Sequence, residues 1–446
     1  MPKDNMDRRE YRRRRRMRNQ ILAWLTLILL LAALVCGGYF LIRYLQGAKK
    51  TAAEKKPETQ PRIEAEPSPA DEQGKISTPE PMDELLEPTP TEAAVAEDEE
   101  DPAVMALLEG MELEQKIDGL FMVSPEAITG VDRATVAGEK TKEALAEYAV
   151  SAIIFDEKNI ESEEKFRQLI KDIRDMYRED YNRRILCFVN EEGSKLSGKI
   201  GSVEAQKSAA ELAAEGDDAA VKDAYRAIAD VLSDFDLDGD LAPVASVKTS
   251  DNCYLKDRVF SDDTDTTDAM VTAAVEGLAE GGRLSCLTAF PGEGEATADP
   301  ENAAISSERS LDEMRACEFL PFLSGMKAGA DMIMVSNITL PSVDGVEGSA
   351  CLSKELVSSI LRQELGYDGV ILTSPLDQAA CSEKDKAGNA ALSAVLAGAD
   401  MLYFRKQKDL DEARKTLLEA VNDGTLSEER IDESLKRIYT LLVKMD

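Results

Sequence analysis

The chain contains no histidine among its 446 residues. This absence excludes Ser-His-Asp and Cys-His catalytic groups, histidine-ligated zinc and imidazole acid–base chemistry at neutral pH. None of the seven cysteines forms a C-x-x-C pair, the usual sign of a metal or redox site. We therefore predict no metal site and no cofactor. The chemistry that remains is that of carboxylates, lysine, tyrosine, cysteine and hydroxyl groups.

Basic residues are also few, with 53 Lys and Arg against 86 Asp and Glu and a net charge of −33. A phosphate backbone requires a basic surface, so nucleic acid is excluded as a partner. Residues 103–446 hold 37 basic and 67 acidic residues. We expect this segment to bind an anionic polymer only weakly.

The N-terminus is the exception to this charge balance. Residues 1–20 carry nine basic residues, whereas residues 21–42 carry no charge. As a helix this run would be about 33 Å long, enough to cross a hydrocarbon core of about 30 Å. We predict a basic cytoplasmic tail over 1–20, a single transmembrane helix over 21–42 and a C-terminal part outside the cell. A cleaved signal peptide is the alternative, but no small-x-small cleavage site follows the run.

A linker follows the predicted span. Residues 51–102 contain nine of the 17 prolines and 16 acidic residues against four basic ones. Such a composition cannot bury a core, and its like charges repel one another. We predict an extended extracellular linker over 43–102 that holds a domain, residues 103–446, away from the membrane.

Eight short apolar runs separated by helical patterns follow the linker. Apolar runs of this length suit parallel strands covered on both faces. Eight alternations predict a single (β/α)8 TIM barrel, and the alternative is a long doubly wound sheet. The latter lacks support because no G-x-G-x-x-G follows the first run. The predicted strands are 119–123, 151–155, 185–189, 241–245, 284–290, 331–335, 369–373 and 400–404.

Cysteines other than Cys36 all fall in this predicted domain. Cys187 and Cys286 lie within predicted buried strands, where a thiol acts as a small apolar side chain. The six cysteines are either unpaired thiols or partners in disulfides, and the sequence leaves both interpretations open.

The active site of such a barrel lies at the C-terminal ends of its strands. Seven segments around these ends resemble, in chain order, the motifs of glycoside hydrolase family 3, in particular its β-N-acetylhexosaminidase branch. They are 111–123 (MELEQKIDGLFMV), 152–155 with Asn159, 188–194 (FVNEEGS), 241–247 (LAPVASV), 258–263 (RVFSDD), 290–294 (FPGEG) and 364–376 (ELGYDGVILTSPL). The resemblance implies the family's barrel and an amino-sugar glycan as ligand.

The same resemblance implies that the catalytic positions have changed. Ser374 stands where the family has its Asp nucleophile, and Asp299-Pro300-Glu301 replaces the D-S-H triplet that holds the acid/base His. Substrate-binding positions of the family fall on Asn190, Lys195, Arg258, Thr288, Ala289 and Asn337.

Retaining glycosidases need two carboxyl groups about 5–5.5 Å apart. A serine hydroxyl replaces a carboxylate poorly, because it needs a base and the chain has no histidine. We expect Glu301 to face water on an exposed loop, and Asp377, three residues past Ser374, to stay away from the site.

Three hypotheses follow. The chain is a membrane-anchored, catalytically silent glycan-binding or scaffolding protein at the cell surface, or it is an active β-N-acetylhexosaminidase, or its barrel is purely structural. In the active case Glu301 would be the acid, and Glu191, Glu192 or Asp377 would supply a second carboxylate. Any sugar stacking would depend on Tyr and Phe, because the only tryptophan, Trp24, lies in the predicted span.

Overall fold

The computed structural model of the chain describes residues 101–446, except 192–195, 197 and 383–384. The predicted tail, transmembrane helix and most of the predicted linker therefore lie outside the described residues. Across the part that is described, none of the helices combines the length and apolarity needed to cross a membrane.

Eight parallel strands form one sheet in which each strand pairs with its neighbour in the sequence. β1 also pairs with β8, and an isolated bridge between Leu372 and Met401 joins β7 to the start of the β8 segment. The result is a nearly closed eight-stranded parallel barrel, which confirms the predicted α/β fold class. The strands are β1 Phe121–Val123, β2 Ala152–Ile154, β3 Leu186–Val189, β4 Gly239–Asp240, β5 Leu284–Phe290, β6 Met332–Val335, β7 Val370–Thr373 and β8 Leu402–Phe404.

Helices connect the strands on the outside of the barrel. A π-type helix, Glu355–Glu364, precedes β7, and short 3-10 turns occur at Glu157–Asn159, Lys256–Arg258 and Ala350–Leu352. The α-helices are α1 Pro102–Leu108, α2 Leu113–Asp118, α3 Pro125–Thr129, α4 Glu139–Glu147, α5 Glu163–Tyr181, α6 Ala209–Ala214, α7 Asp218–Asp234, α8 Thr264–Glu280, α9 Leu311–Arg315, α10 Phe319–Lys327, α11 Ala379–Ser382, α12 Ala387–Ala397, α13 Gln407–Asn422 and α14 Glu428–Met445.

Helix α5 illustrates how the sequence sets these elements. The side chain of Ser162 accepts a hydrogen bond from the backbone N–H of Lys165, and Asn182 ends the helix in the left-handed conformation at φ 51°. Phe166, Ile170 and Ile173 recur at helical spacing and are fully buried against the barrel.

Strand β4 is shorter than predicted. The sequence pattern predicts a strand over 241–245, whereas the regular ladder covers only Gly239–Asp240 and one further bridge joins Val244 to Thr288. Pro243 explains the interruption, because proline has no N–H to donate to the ladder. The chain still runs alongside β5, since Cys286 and Thr288 donate their N–H groups to the carbonyls of Ala242 and Pro243.

Buried aspartates stabilise the N-terminal end of the barrel. Asp238, Asp331 and Asp400 precede β4, β6 and β8, and each accepts a hydrogen bond from a backbone N–H of the preceding odd-numbered strand, at 2.7, 3.1 and 2.9 Å. The sequence AGADM occurs twice, at 328–332 and 397–401, and supplies two of these aspartates. These carboxylates therefore fix the register between neighbouring strands at the end opposite the predicted site.

Asp400 gives a test of this role. Its carboxylate is fully buried, forms an ion pair with Arg362 and accepts hydrogen bonds from Ser434 and Arg437 at 3.0 and 3.3 Å. Asp400→Asn should lower the free energy of unfolding by about 3–5 kcal/mol, because buried guanidinium groups lose their counter-ion. Urea denaturation measures this, with the exposed loop variant Asp344→Asn as control. Equal stability of the two variants would contradict the proposed role.

Candidate functional site

A cavity of about 680 Å³ opens at the C-terminal end of the strands. Its size falls within the range of small-molecule sites. The structure therefore brings seven of the predicted site residues to one pocket. They are Asn190, Arg258, Thr288, Ala289, Asp299, Glu301 and Ser374.

Ser374 lies directly after β7. Its N–H donates to the carbonyl oxygen of Val335 at 2.8 Å, and its side chain is buried in the pocket wall. Asn190 takes the equivalent place after β3, and Thr288 and Ala289 belong to β5. Parallel strands that end at one edge thus bring together residues distant in the sequence.

The other two predicted site residues are Lys195 and Asn337. Lys195 lies outside the described residues. Asn337 is buried beside the pocket, where its Nδ2 donates to the carbonyl of Pro375 and to Oε1 of Gln378, both at 2.9 Å. The thiol of Cys351 lies 3.1 Å from the amide oxygen of Asn337. Asn337 therefore positions the loop that follows Ser374, although the sequence predicts it to bind the ligand.

Arg405, which follows β8, holds two carboxylates. Its Nε donates to Oδ1 of Asp377 at 2.9 Å, its backbone N–H donates to Oδ2 at 2.8 Å, and its Nη1 forms an ion pair with Glu301. Lys406 adds a hydrogen bond to the carbonyl oxygen of Asp377 at 3.0 Å. Two of the carboxylates that the sequence offers for rescued catalysis, Glu301 and Asp377, are therefore bound by a guanidinium group. Glu191, a third, is buried in the pocket wall.

Glu301 is exposed, as the sequence leads us to expect, although its carboxylate is also paired. Its side chain is 41% exposed, but it also accepts a hydrogen bond from Nε2 of Gln378 at 3.0 Å. Partial burial alone would raise the pKa of Glu301, but the bonds from Arg405 and Gln378 outweigh it and hold this pKa below the ordinary value of 4.5. An ionised carboxylate of low pKa is a poor proton donor at neutral pH.

Asp377 is buried and paired with Arg405, and it is not among the described residues that line the pocket. The expectation that it stays away from the site therefore agrees with its position. Sequence analysis missed the pairing itself. The sequence does place Asp377 and Arg405 just after β7 and β8. Because the ends of these neighbouring strands meet at one edge, a pairing could have been predicted.

Glu293 is one of two buried carboxyl groups among the described residues of the pocket wall, and Glu191 is the other. The hydroxyl groups of Tyr254 and Ser336 contact its two oxygens, and its own N–H donates to Oγ of Ser246 at 3.0 Å. Burial raises the pKa of Glu293 above the ordinary value of 4.5, although these hydroxyl groups and Arg258 act in the opposite sense. Glu293 therefore joins the loops after β4, β5 and β6 rather than presenting a free carboxylate.

The pocket wall offers hydroxyl groups, carboxyl groups and aromatic rings to a ligand. A serine hydroxyl occupies the end of β7, one carboxylate is held ionised by Arg405, and another is buried between hydroxyl groups. Tyr225, Tyr254 and Tyr403 line the pocket and provide ring surface that a sugar can contact.

Comparison with known proteins shows which family shares this barrel. The family model described as "Glycosyl hydrolase family 3 N terminal domain" matches residues 112–441. The Mycobacterium bovis protein named "Beta-hexosaminidase LpqI" is 30% identical over 263 residues, which cover 57% of this chain and 66% of that protein. An Arthroderma benhamiae protein named "Uncharacterized secreted glycosyl hydrolase" is 29% identical over 211 residues, covering 46% of this chain and 60% of that one.

Solved structures show the same similarity. A family 3 β-N-acetylglucosaminidase from Paenibacillus sp. str. FPU-7 superposes with a TM-score of 0.70 at 26% identity, covering 75% of this chain and 63% of that one. LpqI from M tuberculosis superposes with a TM-score of 0.65 at 25% identity, covering 76% and 96%. The chain thus spans somewhat less than two thirds of the length of several proteins it matches.

Glu293 supports a prediction of pH dependence. Folding raises the pKa of Glu293, so the unfolded chain loses this proton at a lower pH than the folded chain does. Between the two pKa values the folded state therefore binds more protons than the unfolded state. Stability therefore falls as pH rises above the unfolded pKa. The melting temperature of the wild type should fall, relative to that of Glu293→Gln, which stays neutral, as pH rises above the unfolded glutamate pKa of about 4.3. A constant difference between the two proteins would contradict this assignment.

Proposed function

Because the chain belongs to glycosyl hydrolase family 3, we propose that its pocket binds an amino-sugar glycan without cleaving it. The observation that carries the proposal is Ser374, which lies in the pocket wall at the end of β7. A hydroxyl group at this position needs a base to attack a glycosidic carbon, and the chain contains no histidine to serve as one.

Glu301 and Asp377 are poorly placed to replace the missing nucleophile. Retaining catalysis requires one carboxyl group as nucleophile and a second as acid/base. Glu301 is ionised and paired with Arg405, and the same guanidinium holds Asp377 in a buried ion pair. Both groups would have to leave Arg405 before taking part in catalysis, and Asp377 would then be a buried charge without its partner.

The pocket itself has been retained. It remains large enough for a sugar, and asparagine, threonine and tyrosine side chains line it. Relatives named as β-hexosaminidases give the ligand class, because such proteins act on amino-sugar glycans. A pocket that binds a glycan but lacks a nucleophile accounts for both the cavity and the family relationship.

A hydrolysis assay tests the proposal. The purified full-length chain should show calorimetric binding of an N-acetylglucosamine or glucosamine disaccharide but no hydrolysis of a chromogenic N-acetylglucosaminide or glucoside. Ser374→Asp should not recover a full rate, because the acid/base is also altered and catalytic groups that act together are strongly non-additive. Hydrolysis by the wild type that Glu301→Gln abolishes would instead establish an active enzyme with Glu301 as its acid.

We also propose that residues 21–42 anchor this pocket at the outer face of the cell membrane. The support is the uncharged run behind nine basic residues, together with the acidic, proline-rich segment that follows it. Protease added to intact, wall-stripped cells should digest the chain and leave only a small membrane-bound stub. Full protection of residues 103–446 would overturn this orientation.

A further inference from the structure

The walls of the pocket are strongly acidic. Among the described residues that line it, eight carry carboxyl groups and two, Arg258 and Arg405, carry guanidinium groups. The pocket thus concentrates the negative charge of the whole domain around a concave surface, and low-dielectric walls strengthen such a field.

Arg258 and Arg405 do not cancel the negative charge of the pocket. Arg405 is already paired with Asp377 and Glu301, so its positive charge is matched by two negative ones. Arg258 lies near Glu293 and Tyr254, where its charge favours the ionised form of each against the larger effect of burial.

Three pocket carboxylates have no such partner. Asp156, Asp257 and Asp299 are exposed and take part in no ion pair with any lysine or arginine that the structure describes. Asp299 is the most informative of them. Its Oδ1 accepts the N–H of Glu301 at 2.9 Å, which holds the carboxylate in place beside the pocket.

Thr288 supplies an independent sign of a ligand. Its side chain is 8% exposed and lines the pocket, yet its hydroxyl oxygen has no hydrogen-bond partner among the described atoms. A buried hydroxyl without a partner costs free energy, so it calls for a polar group in the cavity. A hydroxyl or ammonium group of a bound sugar would satisfy it.

We propose that the pocket selects amino sugars whose nitrogen is a free ammonium group, as in de-N-acetylated glucosamine units, over their neutral N-acetyl forms. This inference rests on the proposed glycan-binding function. An ammonium group gains from the field of the unpartnered carboxylates, whereas a neutral acetamide gains little and a carboxylated sugar is repelled. Tyrosine rings in the wall also attract ammonium groups.

Calorimetry with the full-length chain tests the selection. The probes are the β-1,4-linked glucosamine disaccharide, its N,N′-diacetyl form and cellobiose, at about pH 6, where aliphatic amines are protonated. The free-amine disaccharide should bind about tenfold more tightly than the diacetyl form, and this advantage should shrink at high salt. Equal or tighter binding of the diacetyl form would overturn this inference and leave the proposed function standing. Binding of none of the three would overturn the proposed function itself.

Matched variants locate the effect. Asp299→Asn should weaken binding of the free-amine disaccharide about fivefold and leave the diacetyl form unchanged, because only the ammonium group loses a charge partner. Asp368→Asn makes the same change on an exposed residue before β7, at the opposite end of the barrel, and should alter neither. Equal weakening of both sugars by Asp299→Asn would contradict recognition by charge.

Thr288→Val separates binding from folding. Its hydroxyl has no partner in the described protein, so the variant should melt at or above the wild-type temperature while binding the free-amine disaccharide several-fold more weakly. Unchanged binding would remove Thr288 from the site. A lower melting temperature would show that the hydroxyl has a partner within the protein.

Discussion

The guanidinium of Arg405 is the interaction on which the character of the pocket depends. It joins the loop after β7 to the end of β8 through Asp377, and it draws Glu301 from the loop after β5 into the same ion-paired group. One side chain thus joins three parts of the barrel rim. It also holds two of the carboxylates on which a rewired hydrolysis would draw, so the same contacts support both the rim and the proposal that the pocket binds without cleaving.

The barrel beneath this rim keeps the architecture of its family. Buried aspartates fix the strand register at the N-terminal end, and the C-terminal end retains an open cavity of about 680 Å³. In such a barrel the fold depends on the packed strands, whereas the function depends on the residues at the strand ends. The difference that the family resemblance implies at Ser374 lies on this rim, so it concerns what the scaffold presents to a ligand and not the scaffold itself.

Much of the fold could be predicted from the sequence, because eight apolar runs with helical patterns between them reflect burial on both faces of parallel strands. The predicted bounds of β4 were wrong because of Pro243. A pattern of apolar residues does not show that one residue lacks the N–H that the ladder needs. The predicted positions of Ser374 and Asn190 at strand ends were confirmed. The ion pair between Glu301 and Arg405 across the rim could not be predicted from the sequence. These two residues are 104 residues apart, and their contact depends on the conformation of the loops. Asn337 shows the same limit, since the sequence does not reveal that it faces the loop.

A crystal structure of the full chain after prolonged incubation with an amino-sugar disaccharide would test the account most directly. The account predicts an intact glycosidic bond, with the sugar beside Ser374 and Thr288 and the Arg405 ion pairs with Asp377 and Glu301 unchanged. A single sugar ring, or a sugar esterified to any carboxylate, would contradict the claim that this pocket binds without cleaving.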